Sequence, residues 1–166
     1  MKKNAGFTLV EVLVAGSLLA VATLGALSLF GYFLSSSEFS NNLTCALYEA
    51  HQQMENLSRF AYTVIRDGGT EGGVSLPAYT NNGQKRETPF ILTNLNGSGT
   101  VYAEELPPTP RTLMRIKLVV CFRQGQRVIG EDSNLNGRLD AGEDVNGNGE
   151  LDSPISIEKV IVNRLI

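Results

Sequence analysis

A length of 166 residues leaves room for one long helix and one small globular domain. The 14 basic and 17 acidic residues give a net charge of −3, and no basic patch is interleaved with aromatic residues. This balance argues against nucleic acid as the main partner. Catalysis also has little support. The only histidine is His51, neither cysteine has an activating neighbour in the sequence, and there is no phosphate-binding glycine loop. We therefore expect a protein that is not an enzyme.

The N-terminus joins a short basic segment to a long apolar run. Two lysines precede Gly6, and the apolar run extends from Phe7 to about Leu34. Its uncharged part, about 23 residues or roughly 34 Å of helix, is long enough to cross a bilayer. Glu11 lies inside this run, where a carboxylate is costly and normally has a partner or a functional reason. A plain single-pass anchor explains the length of the run but not Glu11 inside it. It also does not explain Gly6, a small residue at the boundary between the charged leader and the apolar run. An ordinary secretory signal does not fit either, because it is cut after its apolar part.

These features resemble the prepilin signature of type IV pilins and of the pseudopilins of type II secretion systems. By this resemblance, a prepilin peptidase cuts between Gly6 and Phe7 and methylates the new amine of Phe7. Glu11 corresponds to the near-invariant glutamate of the family, which pairs with the N-terminal amine of a neighbouring subunit. Physical chemistry favours the same role, because a carboxylate in a low-dielectric helix bundle is tolerable mainly beside a cation.

The resemblance implies a structural subunit, a minor pilin of a type IV pilus. Residues 1–6 would be the leader, 7–34 the membrane and assembly half of the helix, and 35–166 a periplasmic or extracellular domain. The protein would wait in the inner membrane as a single-pass protein. The inner-membrane assembly platform would then build it, with other pilin subunits, into a pilus or pseudopilus at the cell surface or in the periplasm. The alternatives are a minor pseudopilin of a type II secretion system and a membrane-tethered, calcium-dependent binding module.

The pattern of the remaining chain predicts an α+β fold. Apolar residues recur every three or four positions from residue 39 to 64, which predicts one helix from Phe7 to about Arg66, ended by the glycine pair after Asp67. A polar loop follows over 67–85, with at most a short strand near Val74. Strands are then predicted over 90–93, 100–104, 112–122, 127–129 and 155–166. About four antiparallel strands packed against the helix give a pilin-like architecture.

The two cysteines are far apart in the sequence. If the domain lies in an oxidising compartment, a disulfide between Cys45 and Cys121 would tie the helix to a strand of the sheet. The alternative is a pair of buried free thiols.

The segment from Asp132 to Glu143 matches the calcium-loop template at every specified position. Gly137 supplies the sharp turn. The expected oxygen ligands come from Asp132, Asn134, Asn136, the carbonyl of Arg138, Asp140 and Glu143. This alternation allows one turn of backbone to surround a hard cation with several ligands.

The pattern then restarts, but Ile155 stands where the closing acid would be, so the second half is either an incomplete loop or a set of shared ligands. The additional ligands would be Asp144, Asn146, Asn148 and Asp152. The segment 132–152 resembles the calcium loops of EF-hands, dockerins and thrombospondin-type repeats, without the flanking helices of an EF-hand. We expect a calcium loop inserted in a hairpin connection, with a dissociation constant on the order of 10⁻⁴ to 10⁻³ M. The alternative is a polar, turn-rich loop without metal.

Overall fold

A helix of 50 residues, α1 (Leu9–Ser58), opens the computed structural model, which describes residues 8–107 and 112–163. The chain divides into two units, one ending at Asn41 and the other beginning at Asn42, and α1 contributes to both. The predicted processing residues Gly6 and Phe7 lie outside the described residues.

Within the first unit, α1 carries no charged side chain from residue 12 to residue 34, and its large hydrophobic side chains are exposed there. This part contains the one helix of the described chain that is long and apolar enough to cross a membrane, with a mean hydropathy of 2.2. Its hydroxyls are bonded within the helix, since Ser17, Thr23 and Ser28 donate to carbonyls three or four residues earlier. A helix with an apolar surface all round and internally bonded polar groups is suited to lipid or to other apolar helices.

The helix predicted to continue to about Arg66 is interrupted, which corrects that expectation. α1 ends at Ser58, and the chain resumes as a short helix, α2 (Tyr62–Asp67). Between them Ala61 is extended, with φ −62° and ψ 148°, and donates its N–H to Oε2 of Glu71 at 2.7 Å.

Contacts from α2 to the sheet explain the break. The hydroxyl of Tyr62 and Nε of Arg66 both donate to Oε1 of Glu105, at 2.9 and 2.7 Å. The break shifts the buried face by one position, so Tyr62 and Ile65 are buried instead of residues 61 and 64. The predicted end of the helical region is confirmed, because Gly68 forms the C-cap of α2 with φ +78°.

The other elements are eight strands. They are β1 (Gly69–Glu71), β2 (Val74–Leu76), β3 (Thr80–Asn81), β4 (Gln84–Ile91), β5 (Gly97–Glu105), β6 (Leu113–Gln124), β7 (Arg127–Ile129) and β8 (Ile155–Val162). β1 and β2 form a separate hairpin, and the others form an antiparallel sheet of order β3-β4-β5-β6-β7 in which β8 also pairs with β6. The α+β class is therefore confirmed.

Each predicted strand corresponds to an observed strand, and β7 has the predicted bounds. The strand near Val74 is β2. In the described residues the sheet has six strands instead of the predicted four or so. One additional strand, β3, has only two residues. β7 and β8 can both be present beside β6 because they pair with different parts of it. The end of the last predicted strand, residues 164–166, lies outside the described residues.

Alternate residues of β6 separate two apolar layers, as the two-residue period of a strand requires. Ile116, Leu118 and Val120 belong to the layer that contains Ala46 and Ala50 of α1. On the opposite face, which we call the outer face, a second cluster contains Tyr102, Val119, Cys121 and Leu151, with Leu135 and Leu139 packed against it. The sheet thus lies between α1 and the segment predicted to bind calcium.

The predicted disulfide between Cys45 and Cys121 is wrong, since both cysteines are free. Cys45 belongs to α1, whereas Cys121 points to the outer face, away from that helix. Burial raises the pKa of the Cys121 thiol to about 11, so it remains an unreactive apolar group.

Candidate functional site

The start of α1 is closed by a reciprocal pair of hydrogen bonds between Thr8 and Glu11. The backbone N–H of Thr8 and its hydroxyl donate to Oε2 of Glu11, at 3.0 and 2.9 Å. In return, the backbone N–H of Glu11 donates to Oγ1 of Thr8 at 3.3 Å. This arrangement is a capping box, in which two backbone N–H groups without a helical partner are satisfied by side chains.

The capping box gives Glu11 a role inside its own chain that sequence reasoning missed. The sequence does contain the capping-box pattern, because Thr8 and Glu11 have the threonine-x-x-glutamate spacing at the edge of an apolar run. Both bonds from Thr8 use Oε2, so they leave Oε1 of the same carboxylate for another donor.

The outer face carries two consecutive loops with the same geometry. We call residues 132–143 the first loop and residues 144–155 the second loop. In the first loop, Nδ2 of Asn134 and Nδ2 of Asn136 both donate to Oδ2 of Asp140, each at 2.7 Å. Twelve residues later, Asn146 and Asn148 donate in the same way to Oδ2 of Asp152, at 2.5 and 2.7 Å.

The backbones of the two loops also correspond. Gly137 and Gly149, at the equivalent turn positions, have φ of +72° and +71°. Leu135 has φ +60°, and its equivalent Gly147 has φ +75°. A non-glycine residue is strained in this region, so Leu135 keeps a strained backbone while its side chain packs in the outer-face cluster. The repeat of twelve residues is therefore structural as well as sequential.

Hydroxyl groups on alternate residues of β5 attach the loops to the sheet. The hydroxyl of Ser98 donates to Oδ2 of Asp132, which is completely buried, and Oγ1 of Thr100 donates to the carbonyl of Gly137 at 2.5 Å. The same carboxylate of Asp132 accepts the N–H of Gly137 at 2.6 Å and that of Asn136 at 3.1 Å. Asp132 thus organises the first loop and fixes it to β5.

A tyrosine and a glutamate connect the two loops. The N–H of Leu151 donates to the hydroxyl of Tyr102 at 2.8 Å, and this hydroxyl donates to Oε1 of Glu87 at 3.0 Å. The same oxygen accepts the N–H of Leu139 at 2.9 Å. Leu139 and Leu151 are equivalent positions, so one chain of hydrogen bonds joins the same point of both loops.

The donor chemistry of the first loop fits a hard cation such as calcium, because carboxylate, amide and carbonyl oxygens are its preferred ligands. The heads of Asn134, Asn136 and Asp140 already meet. The amide oxygens of Asn134 and Asn136 now accept the N–H groups of Asn136 and Arg138, at 3.0 and 2.7 Å, so a half-turn that aimed them at an ion would exchange these bonds for ligation. Among residues 8–107 and 112–163, no group of three or more His, Cys, Asp or Glu side chains is placed to hold a metal ion. A cation here would therefore depend on the amide and backbone oxygens.

Glu143, the predicted closing ligand, is bound to the loop backbone. Its Oε1 accepts the N–H of Ser133 at 2.8 Å, and its Oε2 accepts the N–H of Asp140 at 3.0 Å. Burial alone would raise the pKa of Glu143, but hydrogen bonds led by that from Ser133 outweigh burial and lower this pKa below the usual 4.5. The side chain is thus a charged group that already closes the loop by hydrogen bonds.

Comparison with known protein families gives a match to the prokaryotic N-terminal methylation motif over residues 1–27. This motif is the signature of type IV pilin-like prepilins and pseudopilins. The chain therefore carries a prepilin-type motif at its N-terminus. Curated proteins and solved structures yield no match.

The N-terminal methylation motif fits both the α+β fold and the start of α1. The exposed apolar helix that follows the motif fits a membrane-anchored protein. Glu11 lies within the matched motif, in the first turn of α1.

Several residues that organise the domain were not identified from the sequence. A sequence pattern could have identified three of them, because they place polar groups at alternate positions of an otherwise apolar strand. These residues are Ser98, Thr100 and Tyr102, and all are buried in the structure. Lys117 on β6 had a similar signal, a basic residue between Ile116 and Leu118. Its partners in the second loop, however, could not be read from the sequence.

Proposed function

We propose that this protein is a minor pilin, a structural subunit of a type IV pilus, that prepilin peptidase processes between Gly6 and Phe7. The single observation that supports this most is the prepilin motif, which continues directly into an exposed apolar helix with Glu11 in its first turn. The same features suit a minor pseudopilin of a type II secretion system. Gene neighbourhood separates the two, because pilus and secretion machineries are usually encoded together.

In the proposed assembly, Glu11 has two tasks. Inside its own chain it accepts the N–H of Thr8, which prevents an unsatisfied backbone group at the helix start, a costly defect in lipid. Between chains, its carboxylate would accept the amine that processing creates on Phe7 of a neighbouring subunit. A charged pair in a low-dielectric environment is attractive only when both partners are present, so processing would create the partner that Glu11 lacks.

Two substitutions separate these tasks. Glu11→Gln keeps a side chain that can complete a capping box but removes the charge. Thr8→Val removes the hydroxyl and keeps the charge. If the charge drives assembly, Glu11→Gln abolishes incorporation into filaments while its amount in the membrane stays normal, and Thr8→Val still assembles.

Filament incorporation, measured in sheared filament fractions against membrane fractions, decides the matter. Normal incorporation of Glu11→Gln would contradict the charge-pairing role and would favour a membrane-tethered binding module. The mass of the mature N-terminus tests the processing separately. A chain that still begins at Met1, or an unmethylated Phe7, would contradict it.

We also propose that the first loop binds calcium once the domain has left the cytoplasm. Asp132, Asn134, Asn136, the carbonyl of Arg138, Asp140 and Glu143 would supply the oxygens. The bound ion would neutralise the carboxylates of the loop and would stabilise the folded state by mass action. At a calcium concentration of about 100 times the dissociation constant, this stabilisation is about 2.7 kcal/mol.

Asp132→Ala is a poor test of calcium binding, because this buried carboxylate also holds the loop on β5. Asp140→Asn is sharper, since Asp140 is exposed and asparagine preserves its shape. We expect calorimetry to show calcium binding weakened by about tenfold or more, because ligand charge sets the affinity of such loops. Asp67→Asn, at an exposed position on α2, is the matched control. No calcium binding by the wild type at millimolar concentration would refute the proposal.

A further inference from the structure

The two loops differ in the charges around their carboxylates. In the described part of the chain, no ion pair joins a lysine or arginine to Asp132, Asp140 or Glu143 of the first loop. Arg138 acts on Asp140 only through its field. The second loop, by contrast, is surrounded by cationic side chains of the sheet.

Lys117 provides the closest of these cations. It projects from β6 on the outer face, where it is paired in register with Tyr102. Its Nζ lies 2.6 Å from Oε2 of Glu150 and 3.3 Å from Oδ1 of Asp152, and its side chain is only 15% exposed. A second ammonium, that of Lys85, contacts Oε1 of Glu150 at 3.2 Å.

The position of Lys117 matters because Asp152 is the equivalent of Asp140. In both loops Oδ2 of this aspartate accepts the two asparagine amides. In the second loop alone, Oδ1 of the aspartate faces an ammonium group.

The twelfth position of the second loop also disfavours a divalent ion. Ile155 replaces the acid that Glu143 supplies in the first loop, and its side chain is buried in the apolar layer that contains α1. A divalent ion in the second loop would therefore lack a closing ligand. It would also have to approach an aspartate already paired with a positive charge, and like charges at this separation repel strongly in a partly buried site.

We propose that Lys117 is the resident cation of the second loop, so that the segment takes up one calcium ion, in the first loop, instead of two. This inference rests on the calcium binding proposed above. The ammonium group of Lys117 would balance the carboxylates of the second loop, as a metal ion would balance those of the first. Two equivalent loops would thus be stabilised by different cations.

The test uses the full chain in detergent and two measurements on Lys117→Met, which keeps the length of the side chain and removes its charge. Lys159→Met on β8 is the matched control, because Lys159 is exposed and bonded only to the hydroxyl of Ser58 in the described structure. In chelator, Lys117→Met should lower the melting temperature by several degrees more than Lys159→Met, since Asp152 loses its ammonium partner and Glu150 loses the nearest of its cations. Lys117→Arg should largely restore it.

Calorimetric titration with calcium chloride gives the second measurement. We expect one ion per chain for the wild type and for Lys159→Met, and a second, weaker event for Lys117→Met. Two ions in the wild type, or no second event in Lys117→Met, would overturn the inference. No ion in the wild type would refute the calcium proposal itself. The melting comparison would then decide the role of Lys117, and equal melting of the two methionine variants would overturn it.

Discussion

The hydroxyl of Tyr102 offers the sharpest test of how the loops are held. Tyr102→Phe keeps the ring in the outer-face cluster and removes one oxygen atom. That oxygen accepts the N–H of Leu151, a residue only 1% exposed, and donates to Glu87. Burial raises the pKa of Tyr102, so the hydroxyl stays protonated and remains a donor at every ordinary pH. No other atom of phenylalanine can replace either bond.

The expected cost follows from the orphaned N–H of Leu151. A buried donor that loses its acceptor destabilises a fold by about 1–3 kcal/mol. For a unit of this size, that corresponds to a fall in melting temperature of roughly 3–10 °C. Tyr48→Phe is the matched control, because Tyr48 is 67% exposed on α1 and its substitution should change the stability by less than about 0.5 kcal/mol.

Urea unfolding of both variants gives the two free energies, and amide hydrogen exchange locates the effect. Exchange at Leu151 should accelerate in Tyr102→Phe, with a smaller change at Leu139, whose N–H keeps its bond to Glu87. If the two phenylalanine variants are equally stable, or if exchange at Leu151 is unchanged, the proposed connection between the loops is refuted.

Three further predictions concern the loops and the cysteines. Gly149→Ala should cost about 1 kcal/mol of backbone strain. Gly137→Ala should cost a further 1–3 kcal/mol or so, because a Cβ there would lie 2.8 Å from the backbone of β5, whereas a Cβ at Gly149 would have no atom within 4 Å. Thermal unfolding of the two variants measures both costs, and equal costs would contradict the prediction. Reducing agent should leave the melting temperature unchanged, since Cys45 and Cys121 are free; a reducible shift would reveal a bond. Finally, the pKa of folded Glu143 lies below the usual 4.5, so its contribution is present above that pH and is lost as the pH falls towards the folded pKa. Unfolding free energies from about pH 5 to about pH 3 should therefore fall more steeply for the wild type than for Glu143→Gln, and parallel curves would exclude this carboxylate as a source of acid sensitivity.

How far the sequence could predict the structure depended on whether a feature had a local signal. The helix, the strands and the turn glycines had one, because periodicity and backbone preference act within a few residues. The break at Ala61 had none, since its cause is the contact of Tyr62 and Arg66 with Glu105, which lies about forty residues further along the chain.

The error on the cysteines was different, because the relevant signal was available. β6 alternates strictly, so Cys121 shares a face with Val119, whereas the residues that pack towards α1 are Leu118 and Val120. An alternating strand therefore predicts that Cys121 points away from the helix that carries Cys45. Two cysteines in one compartment form a bond only when their side chains can meet.

The calcium-loop template located oxygen-bearing residues at matching positions of both loops, but it could not show which charges surround them. The first loop meets neutral hydroxyls of β5, such as that of Thr100, whereas the second meets the ammonium groups of Lys85 and Lys117. Both loops nevertheless share one backbone geometry, which is imposed by asparagines and glycines within each loop. Residues within each loop thus determine its backbone shape. The side chains of the neighbouring strands determine whether the carboxylates of the loop are already paired with a positive charge. A cation requirement should therefore be inferred from the pairing of carboxylates in the fold, because the template alone treats both loops as nearly equal.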